Sequence, residues 1–208
     1  MDGLSEFIGI FLHIDRFLLV LAEQYGSYIY LFIFITIFLE TGIVITPILP
    51  GDSLLFVAGA MAASTGELNI WLLFLIISIA AIIGDSVNYS IGSHAGPRIF
   101  SGGEARIFKR EYLTKTEEFY DKYGDKAIVL GRFFPIARTF VPFIAGISKM
   151  NYAKFVFYNV IGGVLWVLIF LFSGYFFGNI KTVKENFSLA ISAIIILSLI
   201  PAFYQLKS

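Results

Sequence analysis

Long apolar runs determine the class of protein to which this sequence belongs. The clearest runs cover residues 70–93, 155–178 and 187–206. A helix needs about 20 mostly apolar residues to cross the hydrocarbon core of a bilayer, and each of these runs is long enough. Only 14% of the residues are charged, whereas soluble domains carry roughly 25%. The sequence therefore predicts an all-α integral membrane protein whose residues 1–208 form a single membrane domain.

The composition excludes several kinds of site. The formal net charge is zero, which gives no reason to expect nucleic acid as a partner, and the chain contains no cysteine. Disulfides, thiolate metal sites and cysteine nucleophiles are therefore excluded. Its two histidines, His13 and His94, lie far apart in sequence, which argues against a histidine metal cluster. We expect no metal and no cofactor, and the oligomeric state stays open.

Two further apolar segments, 28–63 and 127–148, are interrupted by residues that break helices. The break points that we predict are Pro47, Pro50, Gly51, Pro135 and Pro142. Broken backbone is tolerated at membrane depth only where protein or a watery cavity satisfies its polar groups. The sequence therefore predicts two re-entrant helical hairpins. The stretches PILPGDSLLFVAG (47–59) and PIARTFVPFIAG (135–146) resemble each other, which suggests an inverted repeat with opposed hairpins, as in transporters.

The remaining segments flank these elements. Residues 1–27 are expected to form an amphipathic helix in the membrane interface rather than a cleavable signal. Residues 94–126 form the long polar stretch, and its lysines and arginines favour the cytoplasmic side. We therefore expect a multi-pass protein that holds this stretch in the cytoplasm.

Four ionisable residues lie inside the broken apolar segments: Glu40, Asp52, Arg132 and Arg138. An arginine or aspartate at the centre of a membrane helix costs roughly 2.5–3.5 kcal/mol. The four charges should therefore face each other, water or a charged ligand. We expect Glu40 and Asp52 to lie opposite the two arginines.

These charges allow a structural and a functional interpretation. A structural ion-pair network could lock the two hairpins together. Alternatively, arginine binds phosphate with a planar fork of donors, and a carboxylate inside the membrane can carry a proton. The functional interpretation is therefore a cavity that accepts an anionic headgroup on Arg132 and Arg138 and exchanges protons on Glu40 and Asp52.

Other polar residues give weaker signals. Asp85 follows an apolar run, with Asn88 and Tyr89 about one turn further on, and the three are candidates for a supporting role. A solvated helix end explains Asp85 at least as well. Tyr158 and Asn159 begin an apolar run and are expected at the membrane interface.

Several stretches together resemble the DedA family, whose members are also called SNARE-associated or VTT-domain proteins. They are ETGIVITPILPGDSLLFVAGA, GDSVNYSIG, RFFPIARTFVPFIAG and YNVIGGVLWV. Phe134 to Arg138 fits the pattern F-x-x-x-R, and Gly146, Met150 and Phe155 fit the glycine pattern that follows. The resemblance implies an inner-membrane protein with two facing re-entrant hairpins that depends on the proton-motive force. It also implies that Glu40 and Asp52 are membrane-embedded acids and that Arg132 and Arg138 are an essential basic pair.

The resemblance favours a lipid transporter, a flippase or scramblase for a phosphate-bearing lipid such as undecaprenyl phosphate or phosphatidylethanolamine. Membrane lipids and protons would be its partners. An alternative is a proton-coupled antiporter of small cations or drugs, in which the acids bind the cation. A third interpretation is a structural or assembly factor. An enzyme is not expected, because Ser53 beside Asp52 has no histidine base nearby in sequence.

Overall fold

A computed structural model of the chain describes residues 26–43, 51–64, 66, 68–101, 118, 120, 122–134, 137–178 and 180. In chain order these residues contain helices α1 (Tyr28–Gly42), α2 (Gly51–Ser64), α3 (Ile70–Ser101), a 3₁₀ turn (Gly124–Lys126), α4 (Ala127–Gly131), α5 (Ala137–Ile147) and α6 (Tyr152–Gly178). No β-strand occurs among the described residues. The predicted all-α class is confirmed.

Helices α3 and α6 are long and apolar enough to cross a membrane. The candidate spans are Ile70–His94, with a mean hydropathy of 2.4, and Tyr152–Gly178, with 2.3. In the most apolar 18-residue window of each span, 39% of the window is buried among the described residues. The predicted spans at 70–93 and 155–178 therefore correspond to α3 and α6.

Other predictions fall outside the described residues. These are the third span at 187–206, nearly all of the amphipathic helix at 1–27 and most of the polar stretch at 94–126. The helix α3 continues to Ser101, although its candidate span ends at His94, one residue beyond the predicted end at residue 93. The apolar pattern indicates only the part of a helix that lipid can cover, whereas the helix itself can continue into polar sequence through its backbone hydrogen bonds.

The segments predicted as hairpins contain short helices. α2 has 14 residues and α5 has 11, so at 1.5 Å per residue they extend about 21 and 17 Å, less than the roughly 30 Å of a hydrocarbon core. Gly51 begins α2, as expected of a break point. Pro142 was wrongly predicted as a break, because it lies inside α5. Proline removes one backbone donor, and the burial of residues 137–146 compensates for that loss. Pro47, Pro50 and Pro135 lie outside the described residues.

The chain divides into two compact units. Unit 1 takes its described residues from 26–34, 51–77 and 167–180, and unit 2 takes them from 35–43, 78–134 and 137–166. Unit 1 thus holds α2 and the last part of α6. Unit 2 holds α4, α5 and most of α3.

In unit 1, α2 packs closely on α6 because glycines bring the two backbones together. A Cβ added at Gly59 would overlap the carbonyl oxygen of Leu171, and one added at Gly174 would overlap that of Phe56. The rings of Phe56 and Phe177 lie 6.3 Å apart beside this contact. The crossing of these helices therefore depends on the absence of side chains at two positions.

In unit 2, α5 packs on α3 in the same way. A Cβ at Gly146 would overlap the carbonyl oxygen of Tyr89, and a Cβ at Gly92 would overlap that of Phe143. The Tyr89 ring also stacks near Phe155 on α6, with 4.5 Å between the ring centres.

Each unit thus contains the same reciprocal motif between a short and a long helix. Phe56-x-x-Gly59 pairs with Leu171-x-x-Gly174 in unit 1, and Phe143-x-x-Gly146 pairs with Tyr89-x-x-Gly92 in unit 2. Gly59 and Gly146 are the glycines that end the two similar stretches of sequence. This equivalence supports an internal repeat.

Candidate functional site

Unit 2 buries four charged side chains that come from four parts of the chain. Glu40 lies on α1, Asp85 on α3, Arg132 in the turn after α4, and Arg138 in the first turn of α5. Their exposures are 3, 2, 5 and 8%, respectively. Two arginines and two acids balance formally, which reduces the cost of burying them.

Arg132 is paired with Asp85 rather than with an acid from the first hairpin. Its Nη2 lies 2.5 Å from Asp85 Oδ2 and also donates to the side-chain oxygen of Asn159, a fully buried residue on α6. The Asn159 amide nitrogen in turn donates to the Ile82 carbonyl oxygen at 3.0 Å. Arg132 is thus held from both α3 and α6.

The space for the Arg132 side chain comes from two glycines of α6. A Cβ at Gly162 would lie 3.2 Å from Arg132 Cδ, and one at Gly163 would lie 3.5 Å from its Nη2. Within the described part of the chain, no hydrogen-bond acceptor is in reach of Arg132 Nε, although that atom is buried. A buried donor without an acceptor is costly, so this edge of the guanidinium is a candidate ligand contact.

Arg138 is held by charge and by an aromatic ring. It forms an ion pair with Glu40, and its guanidinium carbon lies 5.3 Å from the ring centre of Trp166. That distance is within the range of a cation–π interaction. Trp166 is itself 1% exposed, so it fixes the guanidinium plane from one side.

Both arginines line one small cavity. Its lining residues are Thr41, Asp85, Arg132, Arg138 and Trp166. The cavity volume, about 10 Å³, is close to the minimum that one water molecule requires. Two buried cations therefore converge on a single space that is barely large enough for one water molecule in this conformation.

Asn88 and Tyr89 support the site from α3. The Asn88 amide nitrogen donates to the Thr41 carbonyl oxygen at 3.1 Å and to the Thr139 carbonyl oxygen at 2.7 Å. The Tyr89 hydroxyl donates to the Met150 carbonyl oxygen. Asn88 thus ties the α1 residue after Glu40 and the α5 residue after Arg138 to one point on α3. The supporting role of Asp85, Asn88 and Tyr89 stays a prediction.

An open groove of about 770 Å³ runs along α3 in the same unit. It is lined by Ile83, Ser86, Val87, Ser90, Ile91, His94 and Tyr152. Ser86, Ser90 and His94 are one turn apart and form a polar edge of this groove. The Asn159 amide nitrogen lies 3.4 Å from Ser86 Oγ, so polar contacts continue from this groove to Arg132.

The predicted pairing was partly right. Glu40 does pair with Arg138, and Arg132 pairs with Asp85, an acid outside the first hairpin; the placement of Asp52 opposite the arginines stays a prediction. Asp52 belongs to unit 1, in the first turn of α2, and is partly buried. An acid at a helix N-terminus is also stabilised by the helix dipole.

The solvated interpretation of Asp85 and the interfacial placement of Asn159 were both wrong, because both side chains are buried against Arg132. A signal for Asn159 was present: an amide flanked by apolar residues in a spanning helix needs an internal partner. No group of three or more potential metal ligands occurs within the described ranges.

Comparison with known proteins identifies the family. The VTT domain family matches residues 49–176. The chain is 49% identical to Protein DedA of Escherichia coli (strain K12), over 99% of this chain and 94% of that protein. It is 43% identical to an uncharacterized membrane protein of Mycobacterium tuberculosis (strain H37Rv), over 86% of this chain and 78% of that protein. It is 34% identical to the inner membrane protein YqjA of E. coli (strain K12), over 73% of this chain and 68% of that protein. No solved structure matches the chain. The expected family is thereby confirmed: the chain belongs to the DedA family of VTT-domain membrane proteins.

Proposed function

We propose that this protein moves a phosphate-bearing lipid across the membrane as a flippase or scramblase. The observation that carries the proposal is the cavity lined by both Arg132 and Arg138. Arginine forks match the oxygen geometry of phosphate, often with two parallel hydrogen bonds. Two arginine side chains that face one cavity inside a membrane domain suit a phosphate headgroup, while the tails of the same lipid remain in the bilayer.

The acids would make transport dependent on the proton-motive force. Glu40 already contacts Arg138, so loss of its charge by protonation would free that guanidinium for phosphate. Asp52 is proposed as a second proton carrier, because it lies at the start of a short apolar helix in the other unit. A protein acting in this way is a transporter rather than an enzyme.

The proposed architecture has two re-entrant hairpins in a multi-pass bacterial inner-membrane protein. The lengths of α2 and α5, each below a membrane thickness, support the hairpins. The relative YqjA is named as an inner membrane protein, which supports the location. Gly51 begins α2 and Pro142 lies inside α5, whereas the predicted break points Pro47, Pro50 and Pro135 lie outside the described residues.

The groove along α3 offers a route for the headgroup. Its polar edge extends from His94, the last residue of the α3 span, to Ser86, and Asn159 connects Ser86 with Arg132. The hydroxyls of Ser86 and Ser90 donate to the carbonyl oxygens of Ile82 and Ser86, and each would contact a passing phosphate by turning its donor away from the helix. Ile83, Val87 and Ile91 would adjoin the lipid. The route deepens toward the buried arginine.

The test is lipid movement in proteoliposomes of the purified full chain. Labelled undecaprenyl phosphate, phosphatidylethanolamine and phosphatidylcholine are compared, with and without a proton gradient, beside Arg138→Ala. Protein-dependent movement of one phosphate lipid that is lost in Arg138→Ala is the expected result. Movement of none of these lipids by folded protein under a gradient would overturn the proposal and favour the cation antiporter.

A further inference from the structure

We infer that Asp85 is an exchangeable counter-ion of Arg132. Its carboxylate pairs with the guanidinium until a phosphate group takes the place of the carboxylate. The inference rests on the proposed function and adds a competing residue that lies outside the first hairpin. It gives α3 a part in controlling how tightly the phosphate binds. Asp85 does not touch the substrate as a catalytic residue would; it sets how much of Arg132 is available.

The first step in the argument is the lack of space. Arg132, Arg138 and Asp85 line a cavity of about 10 Å³, and a phosphate group is several times larger than the single water that such a volume holds. A phosphate can reach both arginines only if a lining group moves away. Asp85 is the lining group that carries the same sign of charge as the phosphate, so it is the group that the phosphate replaces.

The second step is that Arg132 keeps its position without Asp85. Its Nη2 also contacts the Asn159 side-chain oxygen and lies 3.4 Å from the Ala81 carbonyl oxygen. Asn159 is anchored in turn on the Ile82 carbonyl oxygen. These neutral acceptors hold the guanidinium while its charged partner is exchanged.

The third step is the unused edge of the guanidinium. Within the described part of the chain, Arg132 Nε has no acceptor, although the side chain is 5% exposed. Asp85 reaches only Nη2 in this conformation. A phosphate has enough oxygens to bind Nε and Nη2 together, as a bidentate ligand does. Exchange would therefore satisfy a buried donor that Asp85 leaves unsatisfied.

The test measures binding of a soluble phosphate lipid to the full chain in detergent at one fixed pH. The probe is dihexanoyl phosphatidic acid, and dihexanoylglycerol is the control without phosphate. Asp85→Asn keeps the size of the side chain and an acceptor for Arg132 but removes the competing charge. We expect it to bind the probe about tenfold more tightly, because a larger fraction of the protein is competent to bind.

Two further variants make the result specific. Asp125→Asn removes a half-exposed acid of the same unit that faces Lys154 at 3.8 Å, and it should bind like wild type. Arg132→Gln in the Asp85→Asn background should abolish the gain, since the competition is for Arg132. Asp85→Ser serves as a second neutral variant if Asp85→Asn does not fold.

The outcomes separate this inference from the proposed function. Probe binding by wild type that is lost in Arg138→Ala, without any gain in folded Asp85→Asn, overturns the exchange alone. Absence of phosphate-dependent binding in both wild type and Asp85→Asn overturns both proposals. If neither neutral variant folds, Asp85 is required for the structure and the exchange is likewise rejected.

Discussion

Arg138 combines two contacts that depend on the shape of its side chain as well as on its charge. It pairs with Glu40 and lies against the Trp166 ring, 5.3 Å from its centre. A planar guanidinium can stack on the indole and still direct its nitrogen atoms toward the cavity. An ammonium group at the same position would keep the charge but lose the fork.

Arg138→Lys should therefore reduce transport of the phosphate lipid by about tenfold or more, because the bidentate contact is lost. The measurement is the initial rate of lipid movement in proteoliposomes at equal protein content. Lys154→Arg, at a side chain that is 67% exposed, is a matched control and should transport like wild type. A wild-type rate for Arg138→Lys would mean that charge alone suffices.

At this scale the sequence predicts the burial of Glu40, Arg132 and Arg138 but not the burial of Asp85 or its pairing with Arg132. The cost of burial identifies Glu40, Asp52, Arg132 and Arg138 as residues that need partners. It does not identify the partner, because pairing is decided by which helices cross. For Asp85 the sequence leaves a supporting role and a solvated helix end both open, because the apolar run stops beside it; the fold buries it against Arg132.

The glycines that let helices touch determine how the elements cross. Gly92→Ala places a methyl group on the Phe143 carbonyl oxygen of α5, and overpacking of this kind costs about 1–3 kcal/mol. The variant should unfold at a lower temperature than wild type in detergent. Gly42→Ala, where the nearest atom would be 3.4 Å away, should show little change. Equal midpoints for the two variants would contradict the close crossing of α3 and α5.

The groove along α3 predicts a different effect, on transport rather than on stability. Ser90→Trp should fill the groove and reduce lipid movement by about tenfold, since a bulky ring removes the polar contact and the space. Ile79→Trp, on the same helix at a position 41% exposed and outside the groove, should leave movement unchanged. The route is rejected if the two tryptophan variants transport equally well.

Among the elements, the spanning helices could be predicted from sequence and the packing could not. Length and hydropathy are enough for α3 and α6, because lipid exposure imposes a long apolar run. Pro142 was predicted as a break because proline removes one backbone hydrogen bond from a helix. It lies inside α5 all the same, since the burial of α5 outweighs the cost of that lost hydrogen bond. The repeat of glycine pairs appeared in the sequence only as a short similarity between residues 47–59 and 135–146.

For the whole molecule, one contact extends the predicted cytoplasmic placement of the polar stretch to the start of α6. Lys154 at the start of α6 lies 3.8 Å from Asp125, which is at the end of the polar stretch predicted to be cytoplasmic. Because the chain has no cysteine, Lys154→Cys provides a single thiol. A membrane-impermeant thiol reagent should label it in inside-out vesicles and leave it unlabelled in intact spheroplasts. The reverse pattern would invert the proposed orientation.

The central claim is that the buried arginines serve a phosphate ligand and not the fold alone. Replacing a buried ion pair with apolar residues of similar size is often neutral or stabilising by about 1–4 kcal/mol. The pair Glu40→Leu with Arg138→Met therefore tests the claim without leaving a lone charge. The account predicts a folded protein, with an unfolding temperature near that of wild type, that no longer moves the phosphate lipid in proteoliposomes. A folded double variant that moves the lipid at the wild-type rate would contradict the account and assign the ion pair a structural role only.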